Sequence, residues 1–497
     1  MTGGRDAMNW WTYLIFAGLG LLVSLVLLPL LQRYGVPREA DGNGSDFHHT
    51  HTTPVSRLGG VALAAAFGLI AVVIFWWFPG DAEHTRTRLV IVFSSLAMFG
   101  LGLWDDLRPL GARKKLLGQI LIAAAVCYCG VRIEQFKPPF GGPILDLGPW
   151  SWLVTIFWLV ALTNLINLID GIDGLAGGIA LMMMGLLVYV GQGPGLFFPV
   201  LMALGMLGAL LGFLRYNFPP AKIYLGDGGA YFLGFLIGLL TLVSSQKGTL
   251  MAALLAPLFV LALPILDVGL AILRRGFKGL PIFRPDRKHL HHRLQSAGFS
   301  RKETVMMLYG LCSVCLALAL VAYWSQGRWV PLLFGVLCLG LVLLARRFSF
   351  SREWFAVGRV LGNTLELRKQ TEYALALARW LELEAERAET LEELWADFAF
   401  AVRKLGFGSV TWTTAAGNLT WQAEHFAAAE WQERYEFTLD GPVTLEFGGA
   451  ASVMSERLFE HLSELAAESW FRAAKRWRAT AGKPLRPGAV IPQPLSA

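Results

Sequence analysis

Asn164-Leu165-Ile166-Asn167-Leu168-Ile169-Asp170-Gly171-Ile172-Asp173-Gly174-Leu175 closes a long apolar segment. Two amides and two carboxylates follow one another at three-residue intervals. Hydrocarbon penalises such a run heavily unless it faces water, a metal or a polar ligand. The pattern predicts a membrane enzyme with a charged site at the bilayer surface.

Outward from this run, the chain keeps the same character. Of its 497 residues, 55% are apolar and 16% charged, and the mean hydropathy is +0.51. A soluble protein carries roughly a quarter charged residues. Apolar stretches recur near 9–31, 58–79, 88–104, 115–131, 150–166, 175–193, 195–214, 229–245, 249–273, 303–324 and 329–345. Several reach the roughly 20 residues that cross a hydrocarbon core. The first is too long for a signal-peptide core and lacks a small-residue cleavage pattern before Gln32-Arg33. The expected fold is an all-α polytopic membrane protein of about eleven transmembrane helices over residues 1–345, followed by a smaller C-terminal part.

Charge placement orients that expectation. With the first residues outside, the loops near 32–57, 104–115, 215–228 and 274–302 fall inside, and they hold most of the Lys and Arg residues before 303. That is the positive-inside pattern, extended by Arg346-Arg347. It predicts a multi-pass protein of a bacterial inner membrane, with its charged site and C-terminal part cytoplasmic. The net charge of +7 is accounted for by inner loops facing anionic lipid, so nucleic acid is not an expected partner. All five cysteines lie in apolar spans and read as small apolar fillers.

The other polar motifs also fall at inner span ends. Asp105-Asp106 follows the third span; adjacent carboxylates repel, so a bound cation or a proton-accepting role would justify the pair. Arg113, Lys114 and Lys115 follow within two helical turns, placed to meet phosphate. Amides at Asn164 and Asn167 suit a base or sugar hydroxyl; carboxylates at Asp170 and Asp173 suit Mg²⁺, which prefers hard oxygen ligands. Asp227, flanked by Gly226 and Gly228-Gly229, is either a helix N-cap or a ligand holding a metal against a diphosphate. His289, His291 and His292 stand among Arg284, Arg287, Lys288 and Arg293; that setting opposes a divalent metal and favours an anion site. His48, His49 and His51, ahead of Arg57, fit either a tuned site or a solvated loop. Carboxylates for a cation and basic groups for polyanions, all at one surface, suit phosphoryl transfer to a lipid.

At these motifs the chain resembles the polyprenyl-phosphate N-acetylhexosamine-1-phosphate transferase superfamily. The matching pieces are GLWDDLRPL (102–110), KLLGQ (115–119), NLINLIDGIDGLAGG (164–178), the glycine-flanked Asp227 and DRKHLHHRL (286–294). The last piece resembles the UDP-GlcNAc branch that initiates O-antigen, enterobacterial common antigen or teichoic acid linkage synthesis. Leu290 breaks the histidine triplet usual in the phospho-MurNAc-pentapeptide branch, which is the alternative.

The resemblance implies transfer of HexNAc-1-phosphate from UDP-HexNAc to undecaprenyl phosphate with Mg²⁺ or Mn²⁺, releasing UMP. It implies catalytic roles for Asp105, Asp106, Asp173 and Asp227, with Asp227, Asp105 and Asp106 toward the metal. Substrate contacts would come from His51, Arg57, Lys115, Asn164, Asn167, Asp170, Arg287, His289, His291 and His292. Membrane lipid is an expected partner and a homodimer is left open. Two departures, His49 before His51 and Ala230 after Gly229, bear on nucleotide or sugar choice. A secondary transporter is the rival class, but its polar residues would lie at mid-bilayer rather than at span ends.

Beyond Arg347 the composition turns charged. Residues 346–400 read as a juxtamembrane helical linker. From 401 to 497, strand-like stretches at 409–414, 419–425, 434–439 and 443–447 precede a helix near 454–477. This predicts a cytoplasmic α+β regulatory or interaction domain, GAF-like in element order, with an unidentified ligand or protein partner.

Overall fold

A computed structural model describes residues 10–34, 55–80, 82–136, 145–191, 197–246, 298–325, 356–414, 417–424, 426, 428–439 and 442–481, with isolated positions between 261 and 340. Two compact units result: the N-terminal membrane-type helices form one, and the chain from residue 352 on belongs to the other.

The first unit contains α1 (Trp10–Tyr34), α2 (Gly59–Trp77), α3 (Ala82–Leu107) and α4 (Ala112–Tyr128). A two-residue antiparallel pair, β1 (Gln135–Phe136) with β2 (Leu145–Asp146), precedes α5 (Trp150–Ile169). Then come α6 (Leu175–Val190), α7 (Phe197–Asn217), α8 (Gly226–Gln246) and α9 (Arg301–Trp324). Among the described residues, seven helices are long and apolar enough to cross a membrane: α1, α2, α3, α5, α7, α8 and α9. The stretches expected at 115–131 and 175–193 form the shorter α4 and α6, of 17 and 16 residues. Most of 249–273 and 329–345 lies outside the described residues.

Helix α8 is the axis of this unit. Its central window is 94% buried, whereas α1 and α3 remain mostly open on their outer faces. A helix apolar all round belongs inside, and α8 runs from Ala230 to Leu242 with hardly any exposed side chain. Small residues let its neighbours approach: a methyl on Gly102 of α3 would lie 2.4 Å from the Asp227 carbonyl oxygen, and one on Gly60 of α2 2.4 Å from the Gly229 nitrogen. Backbone-to-backbone contact of this kind is how membrane helices gain packing energy without a hydrophobic drive. It fixes the start of α8 against α2 and α3.

The second unit holds α10 (Ala356–Glu384), α11 (Leu391–Lys404) and four antiparallel strands. These are β3 (Ser409–Thr414), β4 (Gly417–Gln422), β5 (Trp431–Thr438) and β6 (Pro442–Gly449), in spatial order β4-β3-β6-β5. Helix α12 (Glu456–Ala481) follows. Alternation along β3 and β6 buries Val410, Trp412, Val443, Leu445 and Phe447, while Arg434, Glu436 and Glu446 face outward as ion pairs. Helices α10 and α11, read from sequence as a linker, share this core through Leu381, Leu391 and Phe398. Arg472 of α12 pairs with Glu382 of α10, Arg476 pairs with Glu386 in the turn that follows α10, and the Trp477 indole donates to the Ala388 carbonyl at 2.9 Å.

At the centre, Trp470 is fully buried and packs on Trp395, Phe398 and Trp412 at ring separations of 4.8–5.2 Å. Removing such a ring costs about 3–5 kcal/mol. Trp470→Ala is expected to strip amide-exchange protection from residues 370–481, read by hydrogen exchange on the full chain. Val453→Ala, at a position 62% exposed, is expected to change nothing.

Candidate active site

The acidic end of the first unit is assembled by α2, α3, α4 and α8 with the loops after α5 and α7. Asp105, in the last turn of α3, is 5% exposed. One of its oxygens accepts from the Leu110 nitrogen at 2.6 Å, and the other meets the Lys115 ammonium. Lys115, in the first turn of α4, also reaches the Asp227 carboxylate at 3.4 Å. A cation thus sits between two carboxylates carried by α3 and α8. That arrangement relieves the repulsion an isolated acidic pair would suffer.

Asp106 does something different. Its two oxygens accept the backbone N–H groups of Asp227 and Gly228, at 3.0 and 2.8 Å. It therefore caps the N-terminus of α8 from another helix, satisfying donors that the helix cannot pair itself. Asp106 was expected toward the metal; in the structure its carboxylate holds the peptide that carries Asp227. Gly226, with φ +76°, makes the turn that delivers this peptide. The Arg57 carbonyl packs where a Gly226 side chain would project. Arg57, exposed at the entry to α2, lies close enough to Asp106 and Asp170 to favour their ionised forms.

The 170–174 loop is tied to the loop after α7. An Asp173 oxygen accepts from the Ala221 nitrogen at 3.0 Å. Buried Asn217 accepts from the Gly174 nitrogen at 2.9 Å and donates to the Ile223 carbonyl at 2.8 Å. Tyr309 of α9 donates to the Gly174 carbonyl at 2.5 Å. Asp170 feels the whole cluster: burial first, then the charges of Asp227, Asp106 and Asp173, push its pKa well above the ordinary carboxylate value, against a smaller pull from Arg57. Burial and Asp173 likewise raise the Tyr224 phenol, opposed by Arg301 and Arg57, which places both arginines at the rim.

Because the folded pKa of Asp170 exceeds its unfolded value, ionising it opposes folding. The contribution of this group is most favourable below about pH 4, where it is protonated in both states. It declines as pH rises through the ordinary carboxylate range toward the raised folded pKa. Asp170→Asn is accordingly expected to raise Tm by a few degrees at neutral pH without divalent cation. The gain should vanish at low pH and shrink when Mg²⁺ is added. Thermal unfolding across that pH series checks it.

Among the residues singled out from sequence, Asp105, Asp106, Lys115, Asp227, Arg57, Asp170 and Asp173 come together. Asn164 is placed elsewhere: its amide donates to the Gln119 side chain at 2.6 Å and to the Val160 carbonyl at 2.8 Å, bracing α5 against α4. Asn167 is half-exposed on the same side of α5, and its amide makes no hydrogen bond among the described residues. His51, Arg287, His289, His291 and His292 lie outside the described residues. Sequence reasoning gave no role to Gln119, Asn217 or Tyr309. A buried asparagine closing an apolar helix before Pro219-Pro220 was a usable signal for Asn217; a tyrosine inside an apolar helix gave none for Tyr309.

Among the described residues, no group of three His, Cys, Asp or Glu side chains converges as a metal site. Mg²⁺ needs fewer: one or two carboxylates, with water and substrate phosphate completing the shell. Asp105 and Asp227, already held around the Lys115 cation, fit that demand.

Residues 88–245, which carry most of α3, all of α4 through α7 and nearly all of α8, match the family model described as glycosyl transferase family 4. A probable undecaprenyl-phosphate N-acetylglucosaminyl 1-phosphate transferase of Bacillus subtilis is 31% identical over 313 residues, covering 63% of this chain and 85% of the relative. The chain belongs to glycosyl transferase family 4. Within this family it is also 34% identical to a decaprenyl-phosphate N-acetylglucosaminephosphotransferase of Mycobacterium tuberculosis, over 55% of this chain and 71% of that protein. A phospho-N-acetylmuramoyl-pentapeptide-transferase of Desulforudis audaxviator is 34% identical over 62% of this chain and 97% of its own. The family match thus lies wholly in the first unit.

Proposed function

We propose that this family 4 protein transfers an N-acetylhexosamine-1-phosphate, GlcNAc-1-phosphate in the first instance, from its UDP-sugar to undecaprenyl phosphate. The observation that carries the reading is the Asp105–Lys115–Asp227 cluster at the ends of membrane-length helices, with Asp170 and Asp173 beside it. A lipid-phosphate oxygen attacks the sugar-linked phosphorus; the bond to the bridging oxygen breaks, and UMP leaves with that oxygen. Asp227 and Asp105 would hold Mg²⁺, which supplies neutralisation of the diphosphate when bound. Lys115 balances the carboxylates and meets incoming phosphate. Asp106 keeps Asp227 in place through the α8 peptide, and Arg57 and Arg301 present positive charge at the rim. Such chemistry depends mostly on positioning and charge neutralisation, which these residues supply.

On this reading the site would face the cytoplasmic side of a bacterial inner membrane, where UDP-sugars are found, with the C-terminal unit as a regulatory or interaction module. The pentapeptide-transferring relative supports a second reading, with UDP-MurNAc-pentapeptide as donor. Purified protein with undecaprenyl phosphate and Mg²⁺ should release UMP from UDP-GlcNAc and not from UDP-MurNAc-pentapeptide. The reverse preference assigns the second reading. No lipid-dependent release from any UDP-HexNAc, with folded protein, overturns both.

A further inference from the structure

The half of α3 farthest from the carboxylates borders a cleft that the transfer reaction does not use. Near the Asp105 end, α3 and α4 touch closely: a methyl on Gly118 would come within 2.9 Å of the Leu101 side chain. Toward the other end the two helices no longer fill the space between them, and a cavity of about 720 Å³ opens. Leu89, Phe93 and Ala97 of α3 and Ile122 and Ala125 of α4 line it. Ser94 also faces it, but its hydroxyl is spent on the Val90 carbonyl at 2.6 Å, so the cleft offers no unmet donor there.

The mouth is charged. Arg86, in the second turn of α3, lines it. Nearby Arg88 is committed to the Phe78 carbonyl and the Phe198 ring, and Arg132 to Glu134. No such contact holds Arg86 among the described residues. From Arg86 to Ala97 the helix rises about 16 Å at 1.5 Å per residue. One leaflet of a hydrocarbon core roughly 30 Å thick measures about 15 Å. A cation at the rim and a leaflet-deep apolar slot match a lipid phosphate and its acyl chain.

We propose that the α3–α4 cleft binds an anionic phospholipid of the leaflet opposite the carboxylate cluster, its phosphate on Arg86 and one acyl chain between the helices. The prenyl tail of an acceptor lipid fits less well. Its phosphate must lie at the Asp105 end to react, so an uncharged tail end would reach Arg86 and leave the cation unused.

The test is native mass spectrometry of the full chain in detergent, titrated with dioleoyl phosphatidylglycerol. One lipid should remain bound at activation energies that strip the rest. Arg86→Ala should weaken retention roughly fivefold, the worth of one basic residue near a membrane surface, and Arg86→Lys should restore most of it. Ala125→Phe should abolish retention by filling the slot, and Ala97→Phe repeats the test if the first variant does not fold. Equal retention by wild type, Arg86→Ala and a slot-filling variant overturns the proposal. So does one-for-one displacement of phosphatidylglycerol by undecaprenyl phosphate, which would give the cleft to the acceptor's tail. None of these outcomes depends on sugar transfer, so the proposal and the assigned reaction fail separately.

Discussion

Asp227→Ala is expected to lower lipid-dependent UMP release by on the order of 10³-fold, with the protein still folded. Removing one preorganised electrostatic contact commonly costs 10²–10³-fold in kcat; Asp227 carries the contact to Lys115 and, on the proposed reading, the cation. It is the carboxylate proposed to hold a divalent cation, and it shares Lys115 with Asp105. Without it, Lys115 pairs with Asp105 alone and the α8 contribution to the site is gone. The fold should survive, because the Asp227 backbone N–H keeps its bond to Asp106 and the helix behind it is packed by apolar side chains. The measurement is single-turnover UMP release with saturating undecaprenyl phosphate, beside a Mn²⁺-binding titration. Wild-type cation affinity in the variant would remove Asp227 from the proposed metal role whatever happens to the rate.

Gly102→Ala is the second large effect, and it touches no reacting group. The added methyl would lie 2.4 Å from the Asp227 carbonyl oxygen and 2.7 Å from the Gly228 α-carbon. Those atoms are backbone, so α8 must shift by roughly the 1 Å that costs about 100-fold when it misplaces a catalytic group. A loss of about 100-fold in kcat is therefore expected, with KM little changed. Gly100→Ala is the control: nothing lies within 4 Å of a methyl there, and the exchange improves helix propensity. Gly100→Ala should act as wild type. If Gly102→Ala matches it, the close approach of α3 to α8 does not govern the site.

The two substitutions separate what could be read along the chain from what could not. The apolar stretches announced the helices, because an interior bathed in hydrocarbon permits few charges and each span needs length. The strands after residue 408 showed in their alternation, since each buries one face against helices. Asp227, Asp105 and Lys115 stood out because charges at span ends need partners. Their mutual contact was a fair expectation, and α3, α4 and α8 bring them together.

Roles within that cluster were another matter. Asp105 and Asp106 are neighbours with the same side chain, yet one meets Lys115 and the other caps a helix 121 residues away. A helical turn points adjacent residues about 100° apart, so only the positions of α4 and α8 decide which receives which. The same holds for Asn164 and Asn167: both lie on one side of α5, and the presence of Gln119 beside one of them turns it into a brace. Sequence by itself determined that the chain crosses membranes and gathers acidic and basic groups at span ends, because solvation constrains every residue locally. Tertiary structure decided which carboxylates meet Lys115, which one holds a backbone and where a cleft opens between α3 and α4, because those depend on distances between helices that local solvation does not encode.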